Sequence, residues 1–274
     1  MLTKVSGFLA EAGFTHSVTP ARNCTFGCTY CYVPTLRIYA GLKPEDWQRW
    51  GQFTTFKPRV SESLGKEIRP DQRIYCSPLV DPYQPAEESE QAMPGVLQAV
   101  IERPVAAFVI QTRGPLILRD LKLLKSVPNL RVSFSVTTDR EDIRILYEPH
   151  CAPVAERWHT IAELRKAGID VYATLAPILP SNPERLMEAA LQATDNSVIA
   201  DPFHTRETKS RGATTREAAL RISAKHGFLE WHDPAFQRSV VACMARTAEA
   251  QGRQFGTGPA AFGWLAHPRV CCSR

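Results

Sequence analysis

Six short β-prone runs alternating with longer stretches of helical periodicity restrict this chain to few architectures. The runs cover 15–19, 73–77, 106–112, 131–137, 170–176 and 196–200. The predicted helices cover 89–103, 116–126, 152–167, 183–194, 214–225 and 234–252. Segment 152–167 shows the pattern well. Ala155, Trp158, Ile161, Ala162 and Leu164 recur near the 3.6-residue period, and Gly168 stands at the C′ position. Strands alternating with helices predict a parallel sheet, and right-handed crossovers then curl it into a partial or full barrel. The expected fold class is α/β, a partial (β/α)6 barrel of TIM type. Residues 1–205 would form the barrel, and 206–274 a C-terminal extension packing on it. Chemistry in such a barrel is built at the C-terminal ends of the strands.

The 274 residues suffice for one large core. No apolar run approaches the roughly 20 residues that span a bilayer, so no membrane partner is expected. The N-terminal stretch lacks a basic region, a long apolar region and a cleavage site, which predicts a cytoplasmic protein. A net charge of +5 permits an anionic partner without demanding one. There are eight cysteines, at 24, 28, 31, 76, 151, 243, 271 and 272. In a reducing compartment a disulfide framework is not expected, and three cysteines within eight positions point to a metal site.

The segment Asn23-Cys24-Thr25-Phe26-Gly27-Cys28-Thr29-Tyr30-Cys31-Tyr32 has the spacing C-x3-C-x2-C and follows the first strand run. Iron–sulfur clusters take soft thiolate ligands, and closely spaced loop cysteines can each hold one corner. Three ligands leave one iron open to a cosubstrate. Structural zinc would need a fourth Cys or His and usually paired C-x2-C elements, and the chain has no second such pair. A [4Fe-4S] cluster on Cys24, Cys28 and Cys31 is therefore preferred to zinc.

This motif, with an aromatic residue before its last cysteine, resembles the signature of the radical S-adenosylmethionine (radical SAM) superfamily. Cys28-Thr29-Tyr30-Cys31-Tyr32 further resembles the spore photoproduct lyase-like branch. The resemblance runs in order to about Pro180. Val80-Asp81-Pro82-Tyr83-Gln84-Pro85-Ala86-Glu87 is similar to the family's T-D-P-Y-Q-P-x-E, and Thr112-Arg113 stands for Thr-Lys. Phe134-Ser135-Val136 and Tyr147-Glu148-Pro149-His150 match the later elements, followed by Arg157 and Ala176-Pro177. The resemblance implies that S-adenosylmethionine is the cosubstrate. Tyr30, Asp81, Arg113, Ser135 and Ala176 would bind it, with Arg113 on its carboxylate. Tyr32 would lie on a hydrogen-transfer path, and Cys76 would be the candidate thiol for returning hydrogen from the second strand. Packing, turn capping for Asp81 and an inert buried thiol for Cys76 are the plain alternatives. Glu148 and Arg157 are expected to pair and brace their loop, and Arg119-Asp120 to be structural.

The implied activity is reductive cleavage of S-adenosylmethionine to a 5′-deoxyadenosyl radical that abstracts hydrogen from a substrate. An electron donor such as flavodoxin or ferredoxin would serve it. The substrate expected from the family is a nucleic-acid lesion, and a peptide or small metabolite is the alternative. A non-catalytic iron–sulfur or zinc protein is the third reading. The basic run 201–211, with His204, Arg206, Lys209 and Arg211, is expected on the substrate side of the barrel mouth. Cys151, Cys243, Cys271 and Cys272 would suffice in number for a second cluster.

Overall fold

The computed structural model describes residues 2–35, 49–204 and 217–267. Arg206, Lys209, Arg211, Cys271 and Cys272 lie outside the described residues. The strands are β1 (Thr3–Lys4), β2 (His16–Val18), β3 (Ala21–Arg22), β4 (Thr55–Phe56), β5 (Arg73–Cys76), β6 (Ala107–Thr112), β7 (Leu130–Ser135), β8 (Val171–Leu175), β9 (Val198–Ala200) and β10 (Phe255–Thr257). The helices are α1 (Phe8–Glu11), α2 (Val60–Glu67), α3 (Glu87–Glu90), α4 (Ala92–Glu102), α5 (Leu121–Leu124), α6 (Glu141–Tyr147), α7 (Val154–Lys166), α8 (Pro183–Ala193), α9 (Glu217–His226), α10 (Pro234–Ala250) and α11 (Gly258–Ala266).

One eight-stranded sheet runs in the order β1-β2-β5-β6-β7-β8-β9-β10. Only the β1–β2 pairing is antiparallel. The six predicted runs are the six central strands, in order and in parallel. β1 and β10 extend the sheet beyond them. The segment read as an extension therefore supplies a strand, β10, and a helix, α11, to the barrel itself. Three-residue and two-residue edge strands carry too little periodicity to be read in advance.

The strand faces divide cleanly. Ile74, Phe108, Ile110, Val132, Phe134, Ala173 and Leu175 face the helix layer and are fully buried. The alternate positions Tyr75, Val109, Tyr172 and Ile199 pack against Phe14 and against Ala261, Phe262 and Leu265 of α11. Helices α1 and α11 follow the two opposite ends of the sheet, yet Phe8 and Phe262 meet edge to face with ring centroids 5.0 Å apart. Arg131 on β7 also donates to the Leu265 carbonyl at 2.8 Å. For both contacts to exist the sheet must curl, and the result is an open, partial barrel. No helix among the described residues is long and apolar enough to cross a membrane.

Candidate active site

Ser135 is the last residue of β7, and the cysteine loop, the 80–87 turn, Arg113, Glu148, Ala176 and Asp201 lie beyond the C-terminal ends of the sheet's strands. Parallel strands thus bring residues more than a hundred positions apart to one rim. The cysteine loop is fixed from two sides. Gln84, fully buried, accepts from the Thr25 backbone N–H at 2.8 Å and from its hydroxyl at 3.2 Å, and donates to the Asn23 carbonyl at 3.3 Å. On the other side β3 pairs with β4, and Thr54 Oγ1 donates to the Asn23 carbonyl at 3.0 Å. The chain at Gly51 passes over Gly27 so closely that a Cβ on Gly51 would lie 2.7 Å from the Gly27 Cα. Both glycines also have positive φ, which a side chain would strain.

Cys24 and Cys28 are buried and Cys31 is half-buried. Burial pushes the Cys24 thiol up, helped by the Asp81 carboxylate. The Cys28 thiol moves the other way. The hydrogen bond from Cys151, with the Sγ atoms 3.9 Å apart, stabilises its thiolate, and so does the Arg113 guanidinium.

Arg113 lies at the hub. Its Nη1 contacts Cys28 Sγ at 3.5 Å and donates to the Tyr30 hydroxyl and to Glu148 Oε1. Tyr30 donates to the same Glu148 oxygen at 2.5 Å, and Arg157 Nη1 binds the other oxygen at 2.5 Å. Glu148 and Arg157 are both fully buried. Burial disfavours the Glu148 charge, but Arg157 and Arg113 outweigh that and hold its carboxyl at about 2. The expected Glu148–Arg157 pair is thus present, and Glu148 does more than brace a loop. It ties Arg157, Arg113 and Tyr30 into one charged knot beside Cys28.

Asp81 does not point an unused carboxylate into the rim. Its Oδ1 accepts from the Tyr83 N–H at 2.9 Å and the Thr112 hydroxyl at 2.6 Å, and its Oδ2 from the Arg113 N–H at 2.8 Å. This is turn capping that also sets the backbone of Arg113. Burial is the main cause that raises its carboxyl above the ordinary range. Arg119 binds Glu87 and Asp120, each at 2.9 Å, as the structural reading expected.

Ser135 ends β7 on the inner face and accepts from Gln111 Nε2 at 2.7 Å. Gln111 Oε1 accepts from Tyr75 at 2.7 Å and from Ser133 at 2.6 Å, and Ser133 meets Thr174 at 2.6 Å. These five side chains form a polar ladder across the strands. Tyr32 is half-buried near its upper end. Burial, with Cys31 and Asp201 nearby, pushes its phenol up to about 12, and Tyr32 in turn helps raise that of Tyr75. Ala176, just past β8, packs against the inner-face cluster.

Cys76 departs from expectation. It pairs in register with Val18 and Ile110, which belong to the helix-facing set, and it is fully buried there. Strand alternation puts Tyr75, not Cys76, on the inner face. Burial accordingly pushes the Cys76 thiol well up. Cys151 and Cys243 do not converge either. Cys151 lies beside Cys28, whereas Cys243 on α10 contacts Glu184 at 3.6 Å.

Gln84, Gln111, Ser133 and Thr174 received no role from the sequence. The last three were detectable in principle, because polar residues at alternate positions of otherwise apolar strands mark one face. Phe203 was missed as well. Its ring lies edge to face with Tyr30 at 6.0 Å and Tyr147 at 5.7 Å, and its carbonyl accepts from Gln237 at 2.9 Å. Residues of the C-terminal part thereby seat the 201–204 loop over the rim. A separate cavity of about 690 Å3 opens at the opposite end of the sheet, among Gly13, Ser197, Arg253 and Trp264.

Comparison with known proteins accords with this arrangement. An uncharacterised protein of Methanocaldococcus jannaschii, MJ0683, is 26% identical over 158 residues, which are 57% of this chain and 58% of that protein. Rv2578c of Mycobacterium tuberculosis, also uncharacterised, is 27% identical over 232 residues, 81% of this chain and 64% of that protein. The chain spans less than two thirds of the length of either. Spore photoproduct lyase, in a structure of a variant with bound AdoMet and dinucleoside spore photoproduct, has the same fold. It superposes with a TM-score of 0.63 over 94% of this chain and 78% of that chain, at 12% identity. The family model of the Radical SAM superfamily matches residues 18–193, a span that takes in the cysteine loop and every strand end around the Arg113–Glu148 knot, and the chain belongs to that superfamily.

Proposed function

We propose that this chain is a radical SAM enzyme that cleaves S-adenosylmethionine at a [4Fe-4S] cluster and takes a hydrogen atom from a substrate. The observation that carries the reading is the Arg113–Glu148 pair beside Cys28. Three thiols of one anchored loop suit iron as a soft donor set. The methionine part of S-adenosylmethionine is a zwitterion, and the pair offers it a cation and an anion. Arg113 suits its carboxylate and Glu148 its ammonium group. When bound, the cluster and S-adenosylmethionine together supply a one-electron reduction that ends in a carbon radical. The chain's own residues bind, orient and exclude water. Tyr30 and Arg157 hold Glu148 in place, and Asp81 sets the backbone of Arg113. Ser135, through Gln111, and the backbone at Ala176 border the space assigned to the nucleoside. The Tyr32 phenol, near Tyr75 and Asp201, is the candidate for passing a hydrogen atom to or from substrate. Cys76 is not offered for that role, because it faces the helix layer.

Flavodoxin or ferredoxin is the proposed electron donor, and a nucleic-acid lesion the proposed substrate. The net charge of +5 suits a polyanion, and the fold is shared with a protein solved with a dinucleoside photoproduct. Anaerobic reconstitution, reduction and assay for 5′-deoxyadenosine test the activity. The triple replacement Cys24→Ala, Cys28→Ala, Cys31→Ala is expected to abolish both iron binding and product. A triple variant that keeps a full cluster would overturn the ligand assignment. Fluorescence anisotropy with lesion-containing and plain DNA at two salt concentrations tests the substrate. Affinity is expected to fall steeply with salt as bound Lys and Arg displace counterions. Absence of binding at low salt would leave a peptide or small metabolite, which the polar ladder on the inner face also suits.

A further inference from the structure

The strand pair β3–β4, which braces the cysteine loop, carries charge that the site does not use. It pairs Arg22 with Thr55 and Ala21 with Phe56, and the Lys57 N–H donates to the Pro20 carbonyl at 2.8 Å. Alternation splits this ribbon into two faces. Ala21 is buried and Phe56 half-buried, while Arg22 and Thr55 are exposed. The half-buried Lys57 shares the outer face with Arg22 as its diagonal neighbour. Arg49 stands exposed just before the Gly51 crossing, its guanidinium 4.8 Å from the centre of the Phe53 ring. Arg59 is exposed at the N-cap of α2 with φ 53. A cation there opposes the helix dipole, and Asp, Asn or Ser would be favoured. Asp and Glu make up 28 of the chain's 274 residues, yet the stretches 16–35 and 49–61 contain none. None of these four cations has an ion-pair partner among the described residues. Burial and the nearby Arg22 both push the Lys57 ammonium below its ordinary range. Folding stability does not account for four unpaired cations gathered on one ribbon.

The ribbon is also tied directly to the thiols. Arg22 stands two residues before Cys24, so their Cα atoms are no more than about 7 Å apart. Thr54 Oγ1 donates to the Arg22 and Asn23 carbonyls, each at 3.0 Å. Gly51, two residues after Arg49, crosses Gly27, the neighbour of Cys28. The structure assigns the outer face of this ribbon, with Arg22, Arg49, Lys57 and Arg59, as the docking surface for the electron donor, a small acidic protein whose own cofactor carries the electron. The assignment rests on the cluster reading above and adds where the donor binds and through which side chains. One electron leaves the donor's cofactor and enters the cluster, so the donor is oxidised by one electron and the cluster reduced by one. No bond forms or breaks and no proton moves. Opposite charge speeds such an encounter, and a carrier that must leave after each electron suits a small, charge-guided interface. Nucleic acid is a less fitting occupant. The space assigned to cosubstrate and substrate is bordered by Arg113, Glu148 and the polar ladder, and none of the four cations contacts them among the described residues.

The test uses the full chain, reconstituted anaerobically, as wild type, as the neutralised triple variant Arg22→Gln, Arg49→Gln, Lys57→Gln, and as the milder double variant Arg22→Gln, Lys57→Gln. Circular dichroism and iron content confirm that each folds and holds its cluster. Stopped-flow absorbance follows cluster reduction by two probes, a reduced acidic flavodoxin and a reduced acidic ferredoxin, at low and at high salt. A small photoreduced deazaflavin serves as a reductant that needs no docking surface. At low salt the triple variant should be reduced by at least one carrier about ten-fold more slowly than wild type, and the double variant by an intermediate factor. Salt should slow the wild type steeply and the triple variant little, because screening removes only charge attraction that is still present. Reduction by deazaflavin should be equal in all three, which a merely structural role for these side chains would not allow. Carrier rates equal in wild type and triple variant at low salt would overturn the assignment, and so would a wild-type cluster that deazaflavin reduces and neither carrier does. A triple variant that loses DNA affinity while keeping wild-type carrier rates would overturn it in favour of nucleic acid. A wild type that takes up no four-iron cluster would overturn the reading beneath it, and that result is seen before any carrier is added.

Discussion

Replacing Glu148 by glutamine removes the anion that Arg113 and Arg157 share inside the protein while keeping the shape of the side chain. The carboxyl is held at about 2 in place of the ordinary 4.5. That depression corresponds to about 3 kcal/mol of stability at neutral pH. The folded-state value lies below the unfolded one, so the contribution is complete above pH 4.5 and is lost as pH falls toward 2. At pH 3.5 about 2 kcal/mol of it remains. Removing one partner of a buried pair costs a similar amount by general experience, about 3–5 kcal/mol. Glu148→Gln should therefore unfold about 3 kcal/mol more easily at pH 7, with a melting temperature lower by roughly 6–12 °C for a chain of this size. Urea midpoints of both proteins at pH 7 and 3.5, at unchanged slope, measure it. The deficit should shrink between the two pH values. A variant within about 0.5 kcal/mol of wild type at pH 7, or a deficit that stays constant with pH, would show that the knot is not a charge-stabilised unit and refute the reasoning.

Arg113→Ala should weaken S-adenosylmethionine binding by roughly ten-fold or more, the loss of a charge-assisted hydrogen bond of about 1.5–3 kcal/mol; calorimetry giving wild-type affinity would remove Arg113 from the site. Gly114→Ala places a Cβ 2.2 Å from the Tyr83 carbonyl oxygen, a backbone atom that cannot step aside cheaply. The β6 end should then shift, lowering both the melting temperature and cosubstrate affinity, and a variant matching wild type in both would contradict the close approach.

The central fold was legible because β5 to β9 are short β-prone runs with apolar residues at least at every second position, set between stretches of helical period. The motif residues were legible for a related reason: a cysteine loop needs its three thiols within one short segment, so Cys24, Cys28 and Cys31 declare themselves by spacing alone. Direction along a strand was harder to read. Cys76 and Tyr75 are neighbours in sequence, and only the register with Val18 and Ile110 assigns the first to the helix layer and the second to the inner face. Edge strands β1 and β10 were too short to show a period, and α11 was hidden because its partners, Tyr75, Val109, Tyr172 and Ile199, come from four different strands. The meeting of Arg113, Tyr30, Glu148 and Cys151 was beyond the reach of any local pattern. It joins loops after β2, β6 and β7 across separations of up to 123 residues, and such contacts exist only once parallel crossovers return every strand to the same rim. The sequence by itself determined the elements and the donor types. The tertiary structure decided which charges share a carboxylate and which thiol stands beside which, because those depend on distance in space, and a linear chain does not encode distance until it has folded.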